Sequence, residues 1–171
     1  AGVVTVRASD NEPTYRFSAS YKATDDTFLY ATYSHGFKGG GFNDQIGGFG
    51  PFGADLAAFS TAAAATKPEK ADSYEAGLKT QFLDNRARLN LTGFWVDYSD
   101  LQKQIVVPIT VNGQPNQVTR FFNAARARVK GLEAEATLIP TDGLTLRGVV
   151  GYQDAKYRQY VTPIPAGYDL S

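Results

Sequence analysis

Cysteine and methionine are absent from this chain, and histidine and tryptophan occur once each. Without cysteine there is no disulfide framework, no thiolate metal site and no cysteine nucleophile. A single histidine makes a histidine-rich metal cluster impossible. No apolar run approaches the roughly 20 residues of a transmembrane helix, and no signal peptide is visible. Neither charge sign is in excess: Lys plus Arg and Asp plus Glu balance at 17 each, so net charge leaves no footprint for a nucleic-acid partner. A sequence of 171 residues with no methionine, opening on Ala1, is expected to be a processed chain or an excised piece.

What the chain has in quantity is aromatic residues, 10 Tyr and 11 Phe, which favour β-structure. In residues 15–23, Tyr15, Phe17, Ala19 and Tyr21 alternate with Arg16, Ser18, Ser20 and Lys22. This period of two marks a strand with one apolar and one polar side. Similar stretches follow at about 28–36, 72–82, 87–98, 126–139 and 144–157. Near Phe94-Trp95-Val96 both sides are apolar and alternation assigns no register. Residues 37–70 are rich in Gly and Ala, and the alanines near 55–65 suit a short helix on propensity. Residues 99–118 form a second long connection, punctuated by Pro108 and Asn112-Gly113, although the Ile and Val around them could extend the flanking strands.

The connections alternate in length. Residues 24–27, 83–86 and 140–143 are tight turns, whereas the two links between hairpins are long. Antiparallel hairpins then carry all short turns at one end and all long loops at the other, as transmembrane β-barrels do. Strands of about ten residues also match a tilted membrane crossing. The expected fold is all-β: an antiparallel meander of about six long strands, a segment of a transmembrane barrel. Six strands do not close such a barrel, so residues 1–171 read as part of one barrel domain. Alternation alone fits equally a soluble β-sandwich or adhesin-like module that binds carbohydrate or protein through its loops.

Several residues invite chemical readings. His35 and Lys38 stand at the mouth of the first long loop, with Asn43 just beyond, and are the candidate ligand contacts. A basic mouth raises association rates with anionic ligands, but one imidazole without partner ligands makes no metal site. Gly39, Gly40 and Gly41 suit a hinge where the chain leaves the sheet, and no Gly-Lys-Ser/Thr follows to make them a phosphate cradle. Glu133 and Glu135 read as charges on a wet strand face, paired with basic residues such as Arg126 and Arg128, rather than as glycosidase carboxylates. Ser34-His35 lacks the nucleophile-elbow context of a triad. Trp95 and Tyr98 suit an interfacial aromatic girdle. No catalytic residue, metal site or cofactor is expected.

Four motifs, in order, carry a family resemblance. Tyr30-Ala-Thr-Tyr-Ser-His-Gly-Phe-Lys-Gly-Gly-Gly-Phe-Asn43 resembles the strand-to-loop motif of TonB-dependent outer-membrane receptors. Lys67-Pro-Glu-Lys-Ala-Asp-Ser-Tyr-Glu-Ala-Gly-Leu-Lys79 is similar to a strand entry of that family. So are Leu89-Asn-Leu-Thr-Gly-Phe-Trp-Val-Asp-Tyr-Ser-Asp-Leu-Gln102 and Asn123-Ala-Ala-Arg-Ala-Arg-Val-Lys-Gly-Leu-Glu-Ala-Glu135. The resemblance implies a piece of a plugged barrel of about 22 strands in the outer membrane. It also implies import of ferric siderophore or a similar scarce nutrient, with outer-membrane lipid around the wall. TonB would act through an N-terminal part that this sequence does not include.

Overall fold

The computed structural model describes residues 5, 7–43, 63, 65–111 and 114–161. Its regular elements are six strands: β1 (Tyr15–Lys22), β2 (Thr27–Lys38), β3 (Glu69–Phe82), β4 (Ala87–Val111), β5 (Gln114–Thr141) and β6 (Leu144–Tyr160). They form one antiparallel sheet in the order β1-β2-β3-β4-β5-β6, each strand pairing with its neighbours in the chain. The expected meander is therefore present, and among the described residues it contains no helix. The proposed short helix near 55–65 falls almost wholly outside those residues.

Register sorts the side chains. Because neighbours point to opposite faces, the pairings Phe17↔Tyr33, Tyr33↔Tyr74 and Tyr74↔Trp95 place four aromatics in one row. The next row is Ala19, Ala31, Ala76, Gly93, Leu132 and Tyr152, and the one beyond it is Tyr21, Leu29, Leu78, Leu91, Ala134 and Val150. From these aromatics to the short-turn end this face carries no charged residue. The opposite face at the same levels holds Lys22, Glu75, Lys79, Arg88, Asn90, Glu133, Glu135 and Arg147.

Among the described residues no second layer covers the apolar face. Phe17, Tyr21, Leu132, Val150 and Tyr152 are each 65% to 69% exposed. The buried apolar side chains among the described residues are all alanines, Ala63, Ala87, Ala124 and Ala125. Covering one large apolar side chain is worth about 1.5–3 kcal/mol, so a sandwich leaving this many in water would forgo its main stabilising term. The soluble-sandwich alternative is set aside on this ground. The uncharged band on β4, from Ala87 to Trp95 in the apolar register, is long enough for a tilted strand to cross the hydrocarbon.

The three tight turns lie together at one end. In the first, Ala23 N donates to Thr27 O (2.9 Å) and Lys22 Nζ meets Asp25 (2.7 Å). The second holds Leu83, Asp84 and Asn85 at φ of 55°, 52° and 63°. Asp and Asn tolerate this left-handed region, but an exposed leucine does so only at a cost of about 1 kcal/mol or more. The third closes on Gly143 at φ 81°.

The ambiguous Phe94-Trp95-Val96 stretch resolves through its neighbours. Trp95 shares the apolar face with Tyr74, while Phe94 lies on the polar face over Gly131. A Cβ on Gly131 would come within 2.5 Å of Phe94 Cζ and 2.4 Å of the Tyr152 carbonyl oxygen. Gly77 plays the same part for Tyr30, whose ring crosses it so that the hydroxyl reaches Thr92 Oγ1 at 3.0 Å. An aromatic laid over a cross-strand glycine thus recurs on this face. The second long connection is also largely sheet: β4 and β5 continue as a ribbon, with Pro108 opposite Gln117, to Val111 and Gln114. Asn112-Gly113 lies outside the described residues.

These contacts rank two substitutions. At Gly77 a methyl meets a ring that can swing aside, whereas at Gly131 it also meets backbone. Gly131→Ala should cost about 1–3 kcal/mol and Gly77→Ala less, measured by urea unfolding of the folded full-length protein. Equal costs would contradict the assignment.

Candidate functional site

The loop-side end of the sheet carries the polar detail. Strand β2 runs past Gly36, the end of the stretch that alternates in the sequence, to Lys38. None of Gly39, Gly40 and Gly41 occupies the left-handed region, since Gly143 is the glycine with positive φ among the described residues. Room matters more than dihedral freedom here. A Cβ on Gly40 would lie 2.1 Å from Thr66 O. Beside it, Thr66 N donates to Gly41 O (2.9 Å) and Gly41 N donates to Thr66 Oγ1 (3.0 Å). The two ends of the first long loop are thereby joined, which differs from a free hinge.

Two amides close the rim. Gln102 Nε2 donates to Gly39 O (3.1 Å) and Lys67 O (3.0 Å), and Gln102 N donates to Glu69 Oε2 (3.1 Å). Asn123 accepts from Lys67 N (2.8 Å) and donates through Nδ2 to Lys67 O (2.9 Å) and Asp100 O (2.6 Å). Asp100 stands at φ 54° between Tyr98 and Leu101, where the β4–β5 register shifts. This bulge re-aims β4 as it leaves the sheet and presents the carbonyl that Asn123 binds. Motif residues Asp100, Gln102 and Asn123 are thus explained by backbone capture. Sequence reasoning did not single them out, because their partners are remote in the chain.

The three candidate ligand contacts do not converge. Lys38 is an exposed cation, its ammonium 3.0 Å from Glu69 Oε2. Asn43 is buried, with Nδ2 donating to the Thr119 carbonyl. His35 shares the apolar face with Tyr33, its ring stacked on Tyr15 at 5.1 Å and its Nδ1 2.8 Å from Asp72 Oδ1. Tyr33 Oη donates to the same carboxylate oxygen at 2.8 Å. Farther out, a 2.6 Å pair with Glu12 holds the Lys70 ammonium above the usual lysine range, and Tyr157 does the same for Lys103.

Charges enter the apolar face only at and beyond its aromatic row. Here Asp97 accepts from Trp95 Nε1 (2.8 Å) and Arg128 Nε (2.7 Å), and the Arg128 guanidinium lies 4.2 Å from the Trp95 ring centroid. Trp95 is therefore a boundary aromatic, as its sequence suggests. Tyr98 is not: three residues on, it takes the opposite face, across from Ala71 and Ala127. The same parity separates Arg128 from Glu133 and Glu135. Arg128 serves Asp97, and Glu135 accepts from Asn90 Nδ2 at 3.2 Å. Among the described residues no group of three or more His, Cys, Asp or Glu is placed to hold a metal ion.

If Asn123 clasps the rim, Asn123→Ala should loosen the loop ends while leaving the sheet intact. Loss of its hydrogen bonds, at about 1 kcal/mol each, should speed proteolysis between residues 43 and 67 of the folded full-length protein at least several-fold. An unchanged cleavage rate would contradict the clasp.

Comparison with known proteins agrees with this geometry. Residues 2–171 match the family model described as TonB dependent receptor-like, beta-barrel. The chain is 29% identical over 143 residues to the metal-pseudopaline receptor CntO of Pseudomonas aeruginosa, covering 84% of this chain and 17% of that protein. The alcaligin outer membrane receptor FauA of Bordetella pertussis superposes with a TM-score of 0.55 at 23% identity, over 88% of this chain and 23% of its own. The pyoverdine outer membrane receptor FpvA of P. aeruginosa PAO1 gives 0.56 at 17% identity, over 86% and 19%. The chain thus spans about a fifth of these proteins, and the structural likenesses speak to fold. By the match over nearly its whole length, the chain belongs to the TonB-dependent receptor β-barrel family.

Proposed function

We propose that this chain forms wall and ligand-side rim in an outer-membrane receptor that imports a chelated metal, of the ferric siderophore type, or a similarly scarce nutrient. In this reading residues 1–171 are part of one barrel domain, and the remaining wall, the plug and the segment that meets TonB belong to the rest of the parent protein. The observation that carries it is the uncharged apolar face, ending in an aromatic row at the loop side of a six-strand meander. Membrership in the family and the likeness to CntO, a metal-pseudopaline receptor, support a metal–chelate cargo. The mechanism is binding and gated passage, with no bond of the cargo made or broken.

Within that reading the three rim residues take different parts. Lys38, with its side chain 61% exposed, is the one suited to meet an anionic complex first. Asn43 anchors the loop through Thr119. His35, held by Asp72 and Tyr15 on the outward face, is the least suited of the three to meet cargo.

Deleting the parent gene should slow growth under metal restriction and abolish uptake of at least one labelled metal–chelate. Lys38→Glu in the intact receptor should lower the association rate several-fold at low salt and little at high salt, as electrostatic steering requires. Normal uptake of every chelate tested in the deletion strain would overturn the reading.

A further inference from the structure

Two features of the apolar face remain outside this account, and they touch. The first is a trough of about 870 Å³ running across the strands. Its floor is Ala19, Ala31, Ala76 and Gly93, one row of small side chains crossing β1 to β4. Phe17, Tyr33, Tyr74 and Trp95 wall it on the loop side, and Leu132 and Tyr152 continue its row on β5 and β6. The second is a recess bounded by Trp95, Arg128, Lys130, Asp154, Lys156 and Arg158. Trp95 and Lys130 line both, so the trough opens onto the recess at the membrane boundary.

The recess is basic beyond what its own acids neutralise. Arg128 is taken by Asp97 at 2.7 Å and Lys156 by Asp154 at 3.0 Å. Lys130 stands across from Asp154 in the ladder and the charge of Arg158 acts on Asp97, but neither makes a direct ion pair among the described residues. Lys130 instead has its ammonium 5.6 Å from the Trp95 ring centroid. Two positive charges in excess therefore stand on the side of the wall that meets lipid, at and just outside the aromatic row. Nutrient passing through the lumen does not reach that side, and a bare cation at this depth is costly unless an anion meets it. Guanidinium and ammonium groups together suit phosphate oxygens.

We propose that the β4–β6 boundary is a binding site for a phosphorylated lipid of the outer leaflet. Its headgroup phosphate sits among Arg128, Lys130, Lys156 and Arg158, and an acyl chain lies in the Ala19–Ala31–Ala76–Gly93 trough. Charge complementarity selects the headgroup, and the missing side-chain bulk admits the chain. The site rests on the reading of the sheet as a membrane wall, but not on the identity of the imported nutrient.

The test uses the full-length receptor in nanodiscs, with bound lipid counted by native mass spectrometry. The probes are bis-phosphorylated lipid A, the same lipid with both phosphates removed, and inorganic phosphate as competitor. Wild type should retain the phosphorylated form in preference to the dephosphorylated one. Millimolar inorganic phosphate should displace it little, because the acyl chain contributes. Lys130→Gln with Arg158→Gln leaves both ion pairs in place and should weaken retention about thirty-fold, from roughly 1 kcal/mol per basic residue near the surface. Ala76→Phe should also lower retention by filling the trough. Equal retention of the two lipids by wild type would overturn the proposal without relying on any variant. Unchanged retention in the double variant would overturn it too. A receptor that fractionates with the outer membrane yet shows either result refutes this site alone, whereas one absent from the outer membrane refutes the import reading as well.

Discussion

Inside a bilayer there is no water to satisfy a backbone amide, so every N–H and C=O must find its partner within the protein. That requirement underlies this structure. It calls for continuous ladders between neighbouring strands, and the sheet supplies them from β1 through β6 without a crossover. β1 and β6 each have one unpaired edge in this sheet, which a complete barrel would close. The period of two then follows: with the backbone paired edge to edge, side chains can point only to lipid or to the lumen. A face without charge from the aromatic row to the tight turns is what lipid demands of one set.

The membrane boundary is built where that demand ends. On the outward face the change takes a single row, from Trp95 to Asp97 on β4 and from Leu132 to Lys130 on β5. The aromatic at the step bridges both media: Trp95 keeps its ring against the apolar band, under the Arg128 guanidinium, and its N–H on Asp97. Immediately beyond, the Asp100 bulge turns β4, and Asn123 and Gln102 hold the chain where it emerges. Loop variation can then proceed above a rim fixed by backbone contacts, which is the general arrangement by which rigid scaffolds support variable binding loops.

Much of this was legible in the sequence, for a physical reason. Tight turns have local chemistry, and a strand between two media must alternate, so 15–22, 72–82 and 144–157 announce themselves. The misreadings arose where partners are remote. Phe94 looks out of phase until Gly131 is seen across from it. Arg128 looks like a partner for Glu135 until parity puts them on opposite faces. Residues 99–118 read as a long connection because Pro108 interrupts them, but the expected extension of the flanking strands by their Ile and Val is present, and β3 pairs with β4 only as far as Ser99. Beyond that point β4 is an edge strand, where proline forfeits no ladder bond on its open side. The rim clasp was illegible for the same reason, since Asn123 and Lys67 are 56 residues apart.

The central claim is that alternate residues of one strand face lipid and lumen. Successive single-cysteine variants from Leu89→Cys to Trp95→Cys test it most directly in the full-length receptor, on a background with any cysteine elsewhere removed. Each would carry a fluorophore and be exposed in turn to a lipid-borne and a water-soluble quencher. The account predicts lipid quenching at 89, 91, 93 and 95, with quenching at 90, 92 and 94 coming from the aqueous side or from neither quencher. Uniform aqueous quenching, or lipid quenching at the even positions, would contradict it.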